Sequence, residues 1–368
     1  MHLYIHVPFC ARRCSYCDFA IAVRRETPDA DFVAAIAREW AMRGTHPVVS
    51  GAARLDTLYF GGGTPSRLAP ASIGSLIADI ARDLPRSPDA EVTLETNPDD
   101  VTAERAVAWR AAGINRISLG VQSHDPAVLE WMHRTHRAEQ VPEAFALLRD
   151  AGFDDISADL IFALPAEVPR DWARDLECTL ALEPDHLSLY GLTVEPHTPL
   201  ARWTARGSAH EASEDRYAAE YLLAHRRLRE AGFEHYEVSN AARPGRRARH
   251  NSAYWAQRDY LGLGPSAHSF LGGERSWNIR EWAEWQRVVA AGRDPRAGSE
   301  QLDAAQRELE HRYLGLRTDR GLPVESLDDA LRERWRAAGW AAEEDHRLRL
   351  TAEGWLRLDA LVTAAGGS

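Results

Sequence analysis

Three of the chain's four cysteines, Cys10, Cys14 and Cys17, fall within eight residues. Such crowding suits metal binding in a reducing compartment better than a disulfide framework. Three thiolates on one short loop are one too few for the four irons of a cubane cluster. A 4Fe-4S cluster held here therefore keeps one iron without a protein ligand, unless a residue from elsewhere completes it. An open iron is a place for a chelating small molecule. The competing reading is a structural zinc with His2 or His6 as fourth ligand, but tetrahedral zinc sites usually draw paired elements from two places and no second pair exists in the sequence. Cys178 stands alone and is expected to be a small, buried, apolar residue.

A loop that does chemistry needs a scaffold. Up to about residue 235, β-rich runs alternate with helical patterns. The strand candidates are Leu3 to His6, Leu55 to Phe60, Val92 to Thr96, Arg116 to Val121, Ile156 to Ile161 and His186 to Tyr190. Between them, Asp31 to Met42, Ser72 to Leu84, Thr102 to Ala112, Val141 to Ala151, Asp171 to Leu182 and Ser213 to Ala231 carry helical apolar spacing. Strand then helix, repeated, specifies a parallel sheet. Six units are fewer than the eight that close a full barrel, so the α/β fold expected is a partial (β/α)6 TIM-type barrel whose C-terminal strand edges form the site. The chemical-looking residues follow this rule: the cysteine loop follows the first strand, Gly61 to Pro65 the second, Glu95 ends the third, Gln122 the fourth, and Asp159 lies in the fifth.

Beyond the barrel (1–235) the pattern breaks into short strands and an Arg- and Gly-rich loop, a connecting module over 236–293. Residues 294–368 read as helix, turn, helix, hairpin, helix, an α+β winged-helix-like domain. No internal repeat or low-complexity tract is present.

Composition narrows the class. The chain has 368 residues, 45% hydrophobic and 27% charged, as in soluble globular proteins. No stretch reaches the roughly 18 to 20 apolar residues of a membrane span, and Pro8 and Cys10 interrupt any signal-like start, so a cytoplasmic location is expected. A formal charge of -11 gives no general attraction to phosphate backbones, so nucleic acid is not an expected partner. All 44 basic residues are arginine, which reads as genome bias.

The Cys-x3-Cys-x2-Cys spacing, Tyr16 before the last cysteine and Gly61-Gly62-Gly63-Thr64-Pro65 resemble the radical S-adenosylmethionine (SAM) superfamily. Within it, Tyr4-Ile5-His6-Val7-Pro8-Phe9-Cys10, Glu95-Thr96-Asn97-Pro98, Gly120-Val121-Gln122-Ser123 and Asp159-Leu160-Ile161 resemble the oxygen-independent coproporphyrinogen oxidase group, over nearly the whole chain. The resemblance implies that Cys10, Cys14 and Cys17 hold the cluster. SAM would chelate the open iron through its amino and carboxylate groups, ready for one-electron reduction to a 5'-deoxyadenosyl radical. It also implies SAM contacts from Tyr4, Tyr16, Gly62, Gly63, Thr64, Glu95, Gln122, Arg134 and Asp159. Glycines there let a ligand approach bare backbone, carboxylates suit ribose or amino groups, and Arg134 suits a carboxylate.

Two branches diverge at this point. The porphyrinogen-processing enzymes carry another cysteine two residues after the third cluster cysteine and a longer lead; this chain has Phe19 there and nine residues before Cys10. It resembles instead the HemW family of haem chaperones through His250-Asn251-Ser252-Ala253-Tyr254-Trp255 and the stretch Tyr260 to Phe270. That implies a third cofactor, haem, passed to a haem-accepting protein such as a respiratory one, with an electron donor to the cluster. Peripheral membrane association through the acceptor and a homodimer also fit it. An imidazole beside Tyr and Trp makes a haem site at His250, Tyr254 and Trp255; the alternative is a hydrogen-bonded corner packing the module on the barrel. His268, His235 and Tyr236 are further candidate ligands. The enzyme alternative is oxidative decarboxylation of coproporphyrinogen III, and a third is another radical reaction on an unknown substrate.

Overall fold

The computed structural model describes residues 1–366. Six strands, β1 (His2–Val7), β2 (Leu55–Gly62), β3 (Arg86–Thr96), β4 (Arg116–Gln122), β5 (Ile156–Phe162) and β6 (His186–Gly191), pair in chain order and in parallel. The helices that follow them are α1 (Asp29–Arg43), α2 (Pro70–Asp83), α3 (Ala103–Ala112), α4 (Gln140–Asp150), α5 (Trp172–Leu180) and α6 (Glu214–Glu230). Local signals set their limits. Side-chain oxygens of Thr102, Asp171 and Ser213 accept from the backbone N–H three residues on, satisfying donors that a helix start leaves free. In α2 the buried Ile73, Leu76, Ile77 and Ile80 repeat at helical spacing.

The strands alternate more than parallel strands usually do. Leu3, Ile5 and Val7, Leu58 and Phe60, and Leu187 and Leu189 face the helices and are at most 1% exposed. Their neighbours Tyr4 and His6, Tyr59, Glu95, Ser118, Asp159 and Tyr190 line the interior. A polar interior explains the period of two where burial on both faces would give unbroken apolar runs.

The sheet continues past the six expected strands. Tyr260–Leu263 (β9) pairs in parallel with β1, Tyr260 opposite His2. Antiparallel strands β10 (His268–Leu271), β11 (Glu274–Asn278) and β12 (Arg296–Gln301) extend that edge. On the far edge β8 (Asn240–Ala242) pairs with β6, and β7 (Glu234–Glu237) with β8. The result is one open twelve-stranded sheet, β12-β11-β10-β9-β1-β2-β3-β4-β5-β6-β8-β7. It runs across residues 235/236 and 293/294, so the segment read as a connector is woven into the barrel sheet. The α/β partial barrel stands, widened at both edges. A second, three-stranded antiparallel sheet (Leu322–Pro323, Ala341–Glu344, Arg347–Leu350) lies among the C-terminal helices in winged-helix order. The ion pair of buried Glu237 with Arg317 at 2.9 Å ties that unit to β7. Among the described residues no helix is long and apolar enough to cross a membrane.

Candidate functional site

A cavity of about 950 Å³ opens where β1 to β6 end, near the top of the roughly 300 to 1,000 Å³ that ligand sites span. One wall is the loop after β1. Its base is a parallel pairing of Phe9–Cys10 with Ala22–Val23, closed by Arg24 N–H to Cys10 O at 2.9 Å. Its tip is pinned by Ser15 N–H to Met132 O (3.0 Å) and Leu200 N–H to Ser15 O (2.9 Å). Cys10, Cys14 and Cys17 all line the cavity from this fastened loop. Donors already address the sulfurs: Thr64 Oγ1 reaches Cys10 Sγ at 3.5 Å and Arg134 Nη1 reaches Cys14 Sγ at 3.7 Å. Burial pushes the Cys10 thiol up to about 11 and raises Cys17 as well; a bound cation reverses that preference.

The donor set fits a cluster better than a single ion. Among the described residues no three His, Cys, Asp or Glu side chains converge as one ion's ligands do. Of the two histidines offered as a fourth zinc ligand, His6 is committed at both ring nitrogens and His2 is not on the cavity wall with the cysteines. His6 donates from Nε2 to Ala20 O (2.9 Å) and accepts at Nδ1 from Tyr4 OH (3.1 Å), and burial lowers it to about 4. His2 meets Thr57 Oγ1 through Nδ1 at 2.9 Å. Gly63 supplies room beside the loop, since a Cβ there would lie 2.9 Å from Phe9 O and 3.0 Å from Cys10 Sγ.

The opposite wall is polar. Glu95 accepts from Tyr59 OH (2.8 Å) and from Gly62 N–H (3.0 Å), while Asp159 accepts from Ser118 Oγ at 2.9 Å. Burial raises both carboxyls, Glu95 from the ordinary 4.5 to about 7. An unfolded chain would release that proton near 4.5, so the folded state binds more protons between about 4.5 and 7 and its stability falls as pH rises through that window. Glu95→Gln removes the titration. The melting temperature of the variant relative to the native chain should therefore climb between pH 5 and pH 8, by the equivalent of about 2 kcal/mol. Melting curves that stay parallel over that range would contradict the assignment.

Gln122 and Arg134 reach the cavity by less obvious routes. Leu119 pairs with Ala158 but Gln122 with Leu160, so β4 bulges, and Gln122 takes a φ of +66°. A bulge re-aims a side chain at the end of a strand. Arg134 comes from a loop and is held by Gly120 O (2.9 Å) and Asn97 Oδ1 (2.5 Å). Its Nε is buried without a partner. Tyr4, Tyr16, Gly62, Gly63 and Thr64 line the same cavity, so every residue that the resemblance assigned to SAM is brought together.

The His-Asn-x2-Tyr-Trp segment forms α7 (Arg249–Trp255), whose first N–H groups, from Arg249 and His250, donate to Glu91 at 2.8 and 2.9 Å. His250 is 1% exposed, with Nδ1 on Thr57 Oγ1 (2.7 Å) and Nε2 on Tyr254 OH (2.6 Å). Burial lowers it to about 3. This is the hydrogen-bonded corner, and it leaves neither ring nitrogen of His250 open to a metal. Trp255 lies outside the cavity, stacked under Arg317 at 4.3 Å. His235 and Tyr236 are buried too: His235 Nδ1 meets His225 at 2.8 Å, and Tyr236 OH meets His186 at 2.8 Å. His268 and Tyr254 do line the cavity. Cys178 is half-buried on α5 rather than fully buried, because it sits at the edge of the helix's apolar face.

Sequence reasoning passed over Tyr59, Ser118, Tyr190, Tyr260 and Arg280, all on the cavity wall. Ser118 and Tyr190 were signalled by the alternation of their strands and Tyr59 by its place between Leu58 and Phe60; Tyr260 and Arg280 carried no such signal.

Residues 4–178 match the Radical SAM superfamily. The chain is 38% identical to "Heme chaperone HemW" of Mycobacterium tuberculosis (strain CDC 1551 / Oshkosh), over 98% of this chain and 93% of that one. It is 32% identical to the protein of the same name in Escherichia coli (strain K12), over 98% and 97%. Among solved structures, coproporphyrinogen III oxidase (HemN) from Escherichia coli superposes with a TM-score of 0.83 over 99% of this chain and 89% of that one, at 22% identity, a likeness of fold.

Proposed function

The chain belongs to the HemW family of haem chaperones within the radical SAM superfamily, and on that premise we propose that it binds a 4Fe-4S cluster, SAM and haem and hands the haem to an acceptor protein. The observation that carries this reading is the shared cavity. Three thiols, two half-buried carboxyls and a row of aromatic rings face one volume.

Cys10, Cys14 and Cys17 are the cluster ligands in this reading, with Thr64 and Arg134 donating toward the sulfurs. When bound, a cluster with one open iron supplies a coordination site and one electron for a sulfonium placed beside it. The chain's own part is placement. Gly62 and Gly63 offer backbone to the methionine end, Arg134 a guanidinium to its carboxylate, and Glu95 and Asp159 accept from its amino or hydroxyl groups. Gln122, Tyr4 and Tyr16 close the remaining walls. Arg12 and Arg280 line the same cavity and suit carboxylates of a porphyrin.

We assign residues 1–235 to cluster and SAM and 236–293 to the aromatic wall that Tyr4 and Tyr59 continue, with 294–368 as a C-terminal unit whose first strand, Arg296–Gln301, still belongs to the barrel sheet. The partners are a haem acceptor, for which a respiratory protein and its membrane surface are the candidates, and a reductant for the cluster.

Titration of anaerobically purified protein with haem tests the reading. A Soret shift saturating near one haem per chain is the expected result, and no shift rejects the chaperone role. Supplying coproporphyrinogen III with SAM and a reductant is the counter-test, since formation of protoporphyrinogen would replace the chaperone reading by the enzymatic one.

A further inference from the structure

The haem-handling reading leaves open which side chain meets the iron, and the hydrogen bonds around α7 narrow the choice. His250 is committed at both nitrogens. His268 has a ring that makes no hydrogen bond among those of the described residues, and it sits exposed beside Trp277, ring centroids 6.2 Å apart. A metal-binding imidazole almost always has its second nitrogen held by a carboxylate, carbonyl or water, which fixes its tautomer and direction. Nothing described here does that for His268.

Tyr254 is the opposite case. Its phenol lines the cavity, its oxygen lies 2.6 Å from His250 Nε2, and its ring is clamped edge-on between His250 (4.8 Å, 78°) and Tyr260 (4.5 Å, 66°). The bond continues inward. With Tyr254 donating to Nε2, His250 Nδ1–H donates to Thr57 Oγ1, and the Thr57 hydroxyl donates to His2 Nδ1 at 2.9 Å. On the cavity side, Tyr59 stacks on His250 at 5.1 Å and 27°, and Tyr4 stacks on Tyr59 at 6.0 Å and 27°. These rings all line the cavity, so this wall offers aromatic contact to a porphyrin.

Resting on the haem-handling reading above, we propose that Tyr254 is the axial ligand to the iron of the haem cargo, and that His250 is its positioning residue. Phenolate is an established haem ligand type. In the step implied, ferric haem arrives with a hydroxide ligand, the Tyr254 oxygen–iron bond forms as the iron–hydroxide bond breaks, and the phenolic proton goes to the departing hydroxide, which leaves as water. No electron changes hands. Release reverses the step: a water gives its proton to the phenolate oxygen and its hydroxide to the iron as the haem leaves for the acceptor. Burial favours the protonated phenol in the empty protein, which makes the reverse step favourable once the cation departs.

The experiment is titration of the full chain with ferric haem, read by visible absorption and electron paramagnetic resonance. The native adduct should be high-spin with a phenolate-to-iron charge-transfer band. Tyr254→Phe, which keeps the ring between His250 and Tyr260, should lose that band and weaken haem binding by more than about tenfold. His250→Gln should keep the band but shift it, with affinity reduced by a smaller factor, and His268→Ala should leave spectrum and affinity unchanged. A low-spin histidine-type spectrum in the native chain, or an unaltered spectrum in Tyr254→Phe, overturns the ligand assignment while haem handling survives. Should Tyr254→Phe fail to fold, the native spectrum alone decides. If the native chain takes up no haem, both the ligand assignment and the chaperone reading fall.

Discussion

Cys14→Ser should abolish the iron-sulfur chromophore and reduce iron after anaerobic reconstitution from about four atoms per chain to near none, with little change in melting temperature. Cluster assembly needs three soft thiolates, and a serine oxygen is a poor substitute for one of them. The fold does not depend on that sulfur. Cys14 is half-buried, and its loop is fastened by backbone bonds at Cys10, Ser15 and Arg24 that the substitution does not touch. Arg134 keeps Gly120 O and Asn97 as acceptors and finds a hydroxyl where it had a sulfur. The stability change should therefore stay within about 1 kcal/mol. Cys178→Ser is the matched control, since Cys178 lies on the outer helix α5 and not on the cavity wall; it should retain full iron. Equal iron in Cys14→Ser and the native chain would remove Cys14 from the ligand set and leave two thiols, too few for the site argued here.

The parts of this molecule legible in the sequence are those set by local rules. Each of the six central strands contains its expected run, as in Arg116–Gln122 for Arg116 to Val121, because apolar and polar residues alternate there and a capping residue or glycine closes the neighbouring helix. The cysteine spacing and the strand-end carboxylates were legible for the same reason, being confined to short stretches. What escaped depends on partners far away in the chain. Asn240–Ala242 and Arg296–Gln301 have no period of two to betray a strand; they are strands because β6 and β11 present open edges to them. His250 reads equally well as a ligand or a corner until Thr57, 193 residues earlier, is found on its Nδ1. Gln122 owes its direction to a bulge that no residue type announces.

Gly262→Ala should be a severely damaging single-methyl change, for a reason that joins these two kinds of information. Gly262 lies in β9 opposite Tyr4 of β1, and a Cβ on it would fall 2.1 Å from His268 O and 3.0 Å from Ala267 Cβ. The obstacle at 2.1 Å is backbone, so no rotamer change relieves it, and either β9 must leave β1 or the 267–268 turn must move. The turn is not free to do so. Ser269 Oγ accepts from Gly262 N–H (3.0 Å), and Arg43 at the end of α1 donates to Gly262 O (3.2 Å), Asn278 Oδ1 (2.9 Å) and Ser269 Oγ (3.0 Å). Glu39, one turn earlier, accepts from Gly264 N–H (2.7 Å) and Asn278 Nδ2 (2.6 Å). Forcing an atom into this junction should cost about 3 kcal/mol or more, lowering the melting temperature by several degrees. It should also shift Tyr260, two residues away, and with it the clamp on Tyr254, so that whatever ligand the cavity takes on that wall binds more weakly. Gly273→Ala is the comparison. That residue sits in the β10–β11 turn at φ +85°, and its Cβ would meet only the flexible end of Gln301, 3.3 Å away. Its cost should be backbone strain alone, about 1 kcal/mol. Thermal melts of the two variants side by side decide the matter: equal, small losses would mean that β9 is not pressed against the 267–268 turn, and the account of how the extension docks on β1 would be wrong.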